Sequence, residues 1–185
     1  MPEEVLTGAA YVENRRNFVD YLKALDQQAW GQVYDQHFQS LFFYALSRVG
    51  DRSEAEEQAA QVLEEALRGI GRYQERGVPF RAWLFRIARN VVADHIKRRQ
   101  RERGAFRSDH NQTTFESEVG FQLSFQRALR HLSQEQRQVV VLRFVNDLSL
   151  KECARAMGKS LSAIKSSQTR GFERLREYFE TEQGG

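Results

Sequence analysis

Hydrophobic residues recur along this chain at helical spacing and almost nowhere at the alternation a strand requires. Between 28 and 49, Trp30, Val33, Tyr34, Phe38, Leu41, Phe42, Ala45 and Val49 form a broad apolar face, and Gly50–Asp51 stops it. Ser53 with Glu56 has the spacing of a capping box, opening an acidic helix to about Arg68 that buries Ala55, Ala59, Val62, Leu63 and Ala66. A glycine-flanked stretch, GIGRYQERGVPF, closes on Pro79, and the next helix runs from near Phe80 to about Arg101. At about 100° per residue, its Leu84, Ile87, Val91 and His95 share a stripe. Arg86, Arg89, Asn90, Ala93 and Lys97 lie on the other side, which this reading leaves free to meet an anion.

Periodicity disappears from 102 to 120, a polar stretch with the character of a linker. It returns at Phe121–Leu132. Ser133 with Gln136 forms a second capping box, opening a helix through Phe144, and Asn146-Asp147 turns the chain. Ser149 with Glu152 forms a third box, and the short helix it opens ends at Gly158, a residue suited to a left-handed C-cap. Ser160 then caps a last long helix carried by Leu161, Ile164, Gln168, Phe172, Leu175 and Phe179. At the start, 1–10 reads as a loose tail and Tyr11–Leu25 as a weak amphipathic helix. The expectation is an all-α chain: an N-terminal extension at 1–25, a helical domain at 26–101, a flexible polar linker at 102–120, and a second helical domain at 121–182.

Of 185 residues, 41% are hydrophobic, enough for small packed cores. No apolar run approaches the roughly 20 residues of a membrane span, and the first residues lack a signal-peptide pattern, so no membrane insertion is expected. A lone cysteine, Cys153, fits a reducing, cytoplasmic setting. The net charge of +3 conceals an acidic segment (Asp51, Glu54, Glu56, Glu57, Glu64, Glu65) followed by a basic one (Arg86 to Arg107). Basic clusters of this kind draw polyanions, although a solvated helix face has the same composition.

Ser149–Arg170 has the layout of a helix-turn-helix: a short capped helix, a glycine turn and a longer capped helix. An ordinary αα-hairpin shares that pattern. In the DNA-binding version the second helix enters the major groove, and its outward positions here are Ser162, Lys165, Ser166, Thr169 and Arg170. The basic stripe and the loop before it form a second constellation. Tyr73, Phe80 and Trp83 offer ring faces and Arg76 and Arg81 add charge, the mixture used to hold single strands; Phe80 and Trp83 fit a core role better. Cys153 falls in an apolar slot, as an inert buried thiol would. The four histidines lack metal-ligand spacing, so neither a catalytic site, a metal nor a cofactor is expected. A stand-alone DNA-binding regulator, and a helical enzyme or RNA-binding module, are the rival readings; the second needs a ligand cluster that the sequence lacks.

PFRAWLFRIARNVVADHIKRRQR at 79–101 and LSQEQRQVVVLRFVNDLSLKECARAMGKSLSAIKSSQTRGFERLREYF at 132–179 resemble, in this order, bacterial sigma factors of the sigma-70 class, extracytoplasmic-function (ECF) group. The resemblance implies a non-catalytic initiation factor that gives core RNA polymerase promoter recognition and strand opening. It implies that Gly69–Val78, with Tyr73, Gln74 and Arg76, receives a flipped base of the −10 element, while Arg81, Arg86, Arg89, Asn90, Lys97 and Arg98 hold the strand and its junction. Ser162, Lys165, Ser166, Thr169 and Arg170 would read duplex −35 DNA. Glu56, Glu57, Gln58, Gln61 and Glu64 on the acidic helix would meet the polymerase β′ coiled coil, with the β flap as a second contact. An anti-sigma factor is the further partner implied.

The chain departs from the family pattern in four places. Glu57–Leu63 reads EQAAQVL, with Ala60 and Gln61 where Gln and Glu are usual. Lys159 replaces an apolar turn residue and Ser167 an Arg. Gly171 interrupts the last helix, where Ala is favoured by about 1 kcal/mol.

Overall fold

The computed structural model describes residues 18–75, 77–103 and 127–183. Among these there are six principal helices: α1 (Gln27–Val49), α2 (Arg52–Gly69), α3 (Phe80–Arg103), α4 (Gln134–Val140), α5 (Leu150–Met157) and α6 (Leu161–Gln183). Residues 18–23 and 127–130 are also helical, and no strand occurs among the described residues. The expected tail, most of the linker and Phe121–Gln126 lie outside them. No described helix is long and apolar enough to cross a membrane.

Local chemistry sets most of the helix ends. Asp26 accepts the Ala29 amide at 2.8 Å to start α1, and Gly50 ends it in the left-handed region at φ 77°. That turn leaves Asp51 extended, so Asp51, not Ser53, caps α2 by accepting the Glu54 amide at 2.9 Å. Ser53 falls inside the first turn, and Glu56 pairs instead with Arg52 at 3.0 Å. The boxes at Ser133/Gln136 and Ser149/Glu152 are both closed, and Gly158 ends α5 at φ 64°. Ser160 caps α6 by accepting the Ala163 amide at 3.2 Å.

The helix opened by Ser133 is shorter than its pattern predicts. Regular α-helix stops at Val140, and Val141–Val145 widens into a π turn. Three β-branched valines in a row weaken the α-helix there. The Asn146 amide donates to the Val141 carbonyl at 3.0 Å and the Leu148 amide to that of Leu142 at 2.9 Å, holding the turn wide.

Helices α1, α2 and α3 pack around Leu41, Tyr44, Val62, Leu84 and Phe85, all nearly fully buried. Glu54 ties α2 to α3, accepting from His95 Nε2 at 2.9 Å and from Arg99 at 2.7 Å. The second half gathers Val139, Leu142, Leu148, Cys153 and Ile164. The halves do not stand apart: α5 lies along α3, and the buried apolar residues of both join into one continuous cluster.

As expected of one long last helix, α6 runs straight through Gly171 despite the glycine's low helix propensity. A methyl group at 171 would sit 3.3 Å from Val140 Cγ2 and 3.5 Å from Gln136 Cβ, so glycine permits the close approach of α6 to α4. Gly31, midway along α1, has open space around it. Gly31→Ala is therefore expected to raise the unfolding free energy by roughly 0.5–1 kcal/mol, and Gly171→Ala by less. Denaturant titration should show Gly171→Ala gaining more when Val140→Ala makes room; equal gains in the two backgrounds would contradict the contact.

His37 faces Phe80, their ring centres 6.1 Å apart. Burial, and then the charge of Arg81, lower its pKa from 6.5 to about 4, so the folded state holds it neutral. As pH falls from about 6.5 toward 4 the unfolded chain takes up a proton here that the folded one refuses, which costs stability. The stability difference between His37→Gln and the parent should shift in the variant's favour across that window. A constant difference would count against this environment.

Candidate nucleic-acid interface

On α6 the caps and the inner face fix which side chains point out. Ile164, Ser167, Gly171 and Leu175 are buried toward the rest of the second half. Ser162, Lys165, Ser166, Thr169 and Arg170, the five predicted readers, are all exposed on the other side of the first turns. α5 supports this helix from behind, through Cys153, Ala156 and Met157. Burial drives the Cys153 thiol up to about 12, which leaves it unreactive.

α3 differs from its expectation. Its deepest residues are Leu84, Phe85, Ala88 and Val92, while Ile87, Val91 and His95 are only half-buried toward α2. The basic side is not left free, because α5 packs on it. Arg89 donates to the Met157 carbonyl, at the carboxyl end of α5 where unpaired carbonyls and the helix dipole favour a cation. Arg81 donates to the Asn146 and Asp147 carbonyls. Arg86, Asn90, Lys97 and Arg98 remain exposed, Lys97 3.7 Å from Asp94. Arg137 adds a further link by donating to the Ser47 carbonyl at 3.4 Å. The seam is imperfect: Arg81 Nε and Asn146 Oδ1 are buried without a hydrogen-bond partner. Arg48, Lys97, Glu135 and Lys159 line an open groove of about 500 Å³ along it.

The aromatic loop is also more closed than expected. Tyr73 is 3% exposed, its ring 4.9 Å from Trp83 and 5.8 Å from Phe80, and its hydroxyl donates to the Val78 carbonyl at 2.9 Å. The stacking face assigned to Tyr73 is thus absorbed into a cluster of three rings, because an aromatic between α2 and α3 gains more from burial than from solvent. Gln74 is exposed. Arg76 lies outside the described residues.

Of the acidic-helix candidates, Gln58 is 3% exposed and turned toward α3, at the floor of the groove between the two helices. Its heptad-like position beside Ala55, Ala59 and Val62 places it on the inner face. Glu56, Glu57 and Glu64 are exposed and Gln61 is half-buried, contacting Glu65 at 3.3 Å. Between α2 and α3 runs a groove of about 850 Å³, lined by Gln61, Glu65, Arg72, Trp83, Asp94 and Arg98 among others. No cluster of His, Cys, Asp or Glu that could hold a metal occurs among the described residues.

Sequence reasoning passed over two residues that organise the second half. Arg137 donates to the Leu129 carbonyl at 2.8 Å and reaches those of Arg130 and Leu132, gathering the end of one helical turn. Glu135 joins Lys159 and Ser167. Neither leaves a periodic trace, since both act across turns.

Comparison with known proteins matches residues 33–102 to sigma-70 region 2 and residues 128–177 to sigma-70 region 4. The ECF RNA polymerase sigma factor BldN of Streptomyces coelicolor is 36% identical over 166 residues, an alignment spanning 85% of this chain and 62% of BldN. The ECF RNA polymerase sigma factor SigL of Mycobacterium tuberculosis is 31% identical over 140 residues, 72% of this chain and 79% of SigL. Among solved structures, the sigma factor RpoE of Bartonella quintana, crystallised with the anti-sigma factor NepR, is 25% identical with a TM-score of 0.68, covering 81% of this chain and 96% of RpoE.

Proposed function

This chain belongs to the extracytoplasmic-function group of the sigma-70 family of transcription initiation factors, and from that premise we propose how its two halves divide promoter recognition. The observation that carries the proposal is the outer face of α6, where five hydrogen-bonding side chains stand exposed on a capped, rigidly backed helix. Ser162, Lys165, Ser166, Thr169 and Arg170 read the −35 duplex, with Lys165 and Arg170 matched to guanine edges or phosphates. Arg86, Asn90, Lys97 and Arg98 are the cations and amide ready to hold the −10 strand; Gln74 and Arg76 belong to the neighbouring loop.

Arg81 and Arg89 reach that strand only after α5 leaves α3, since both now donate to backbone carbonyls across the seam. The buried Arg81 Nε without an acceptor and Asn146 Oδ1 without a donor weaken the seam by about 1–3 kcal/mol each, so a competing partner can open it. Core RNA polymerase is that partner, meeting Glu56, Glu57, Gln61 and Glu64 through its β′ coiled coil and the second half through its β flap. The chain itself performs no catalysis and works in the cytoplasm beside the polymerase. An anti-sigma factor, of the kind seen on RpoE, restrains it.

Reconstitution with bacterial core polymerase tests the division of labour. Arg86→Ala with Lys97→Ala should impair open-complex formation and leave −35 duplex binding nearly intact. Lys165→Ala or Arg170→Ala should alter −35 preference, by about 1–3 kcal/mol where a base pair is read through two hydrogen bonds. Equal loss of both functions in either set would refute it. Fluorescent labels on α2 and α6 should move apart when core polymerase is added; an unchanged distance in an active holoenzyme would exclude opening of the seam.

A further inference from the structure

Glu135 lies on α4, outside the recognition helix, yet its two carboxylate oxygens hold two different parts of the helix-turn-helix. Oε2 accepts from Lys159 Nζ at 2.5 Å, in the turn that precedes α6. Oε1 accepts from Ser167 Oγ at 2.7 Å, nearly two turns into α6. Lys159 in the turn and Ser167 on the buried face of α6 thus meet on one acid. We propose that Glu135 is a positioning residue for −35 recognition, setting the rotation and advance of α6 in the major groove.

Directionality separates this contact from the rest of the α6 anchorage. Ile164 and Leu175 fix how deeply the helix packs, and Gly171 lets it approach Val140 closely. Apolar packing is non-directional and tolerates small rotations. A hydrogen bond to a charged acceptor does not, because it weakens steeply with angle. The outward readers follow Ser167 on the same rigid helix. Ser166 is its immediate neighbour, while Lys165, Thr169 and Arg170 lie within three residues. A rotation released at Ser167 therefore moves all of them together.

Burial decides which half of the bridge matters more. Lys159 and Glu135 are 42% and 36% exposed at their side chains, and an ion pair that open to water contributes little. Ser167 is 3% exposed, so its hydroxyl has no water to turn to if Glu135 is lost. The carboxyl of Glu135 is held below its usual range by the Lys159 hydrogen bond and then by that of Ser167, with Arg170 adding its charge from the DNA-facing side. The acid thus remains ionised and available as an acceptor.

This inference rests on the reading of α6 as the −35 reader, and the test separates the two. Holoenzyme reconstituted with purified bacterial core polymerase would be challenged with promoters randomised at −35, with −10 and spacer fixed, and its enrichment profile sequenced. Ser167→Ala preserves helix propensity and should leave the thermal midpoint close to the parent's. It should reduce discrimination at several −35 positions by about five-fold or more, the lower end of what a well-made base contact supplies. Glu135→Ala should flatten the same positions, and the double variant no more than either alone. A Ser167→Ala profile matching the parent's, while Lys165→Ala or Arg170→Ala changes it, would overturn the role of Glu135. A profile unmoved by any of the four substitutions would overturn the −35 reading itself. Loss that is uniform across all −35 sequences would assign Glu135 to stability alone and equally overturn the proposal.

Discussion

Two guanidinium groups on one helix govern how this protein is arranged. Arg81 and Arg89 project from α3 into the carbonyls of Asn146, Asp147 and Met157, and that contact fixes how α5 lies on the packed apolar seam between the halves. A carbonyl at a helix end is a partly negative acceptor; a phosphate oxygen is a fully charged one and takes guanidinium in a fork of two hydrogen bonds. The seam therefore holds both guanidinium groups on neutral acceptors, which bind them less strongly than a charged oxygen would.

The halves reach stability by different means. The first buries large side chains, with Leu22, Leu41, Tyr44 and Phe85 nearly inaccessible, and draws Tyr73, Phe80 and Trp83 into a ring cluster. The second buries smaller side chains, among them Val139, Leu142, Leu148 and Ile164. It relies on geometry instead: two closed capping boxes, a wide turn stitched by Asn146, and Arg137 collecting carbonyls from the segment before it. Such polar cross-links hold a short helix pair at a defined angle, which a reading surface needs more than it needs bulk.

Tyr73 shows the cost of reading a residue by its chemical type. An aromatic among arginines and glycines suits a stacking platform, but the ring faces Trp83 and Phe80 and is closed to solvent. Gln58 makes the same point on α2, where a polar side chain lies on the buried inner face. Gly171 weakens the usual argument against glycine in a helix, since an added methyl would press on Val140.

Most of what depends on neighbours three or four residues apart was legible in the chain: the helices, the boxes at Ser133 and Ser149, the left-handed Gly158, and the outward row from Ser162 to Arg170, although the cap of α2 fell to Asp51 and not to Ser53. Such contacts form within one turn, and so leave a periodic trace. What only the folded structure decided involves partners far apart along the chain: Arg81 with Asn146 across 65 residues, Arg89 with Met157 across 68, and Ser167 with Glu135 across 32. No spacing rule encodes those meetings, because they follow from how the helices stack and not from how each one winds.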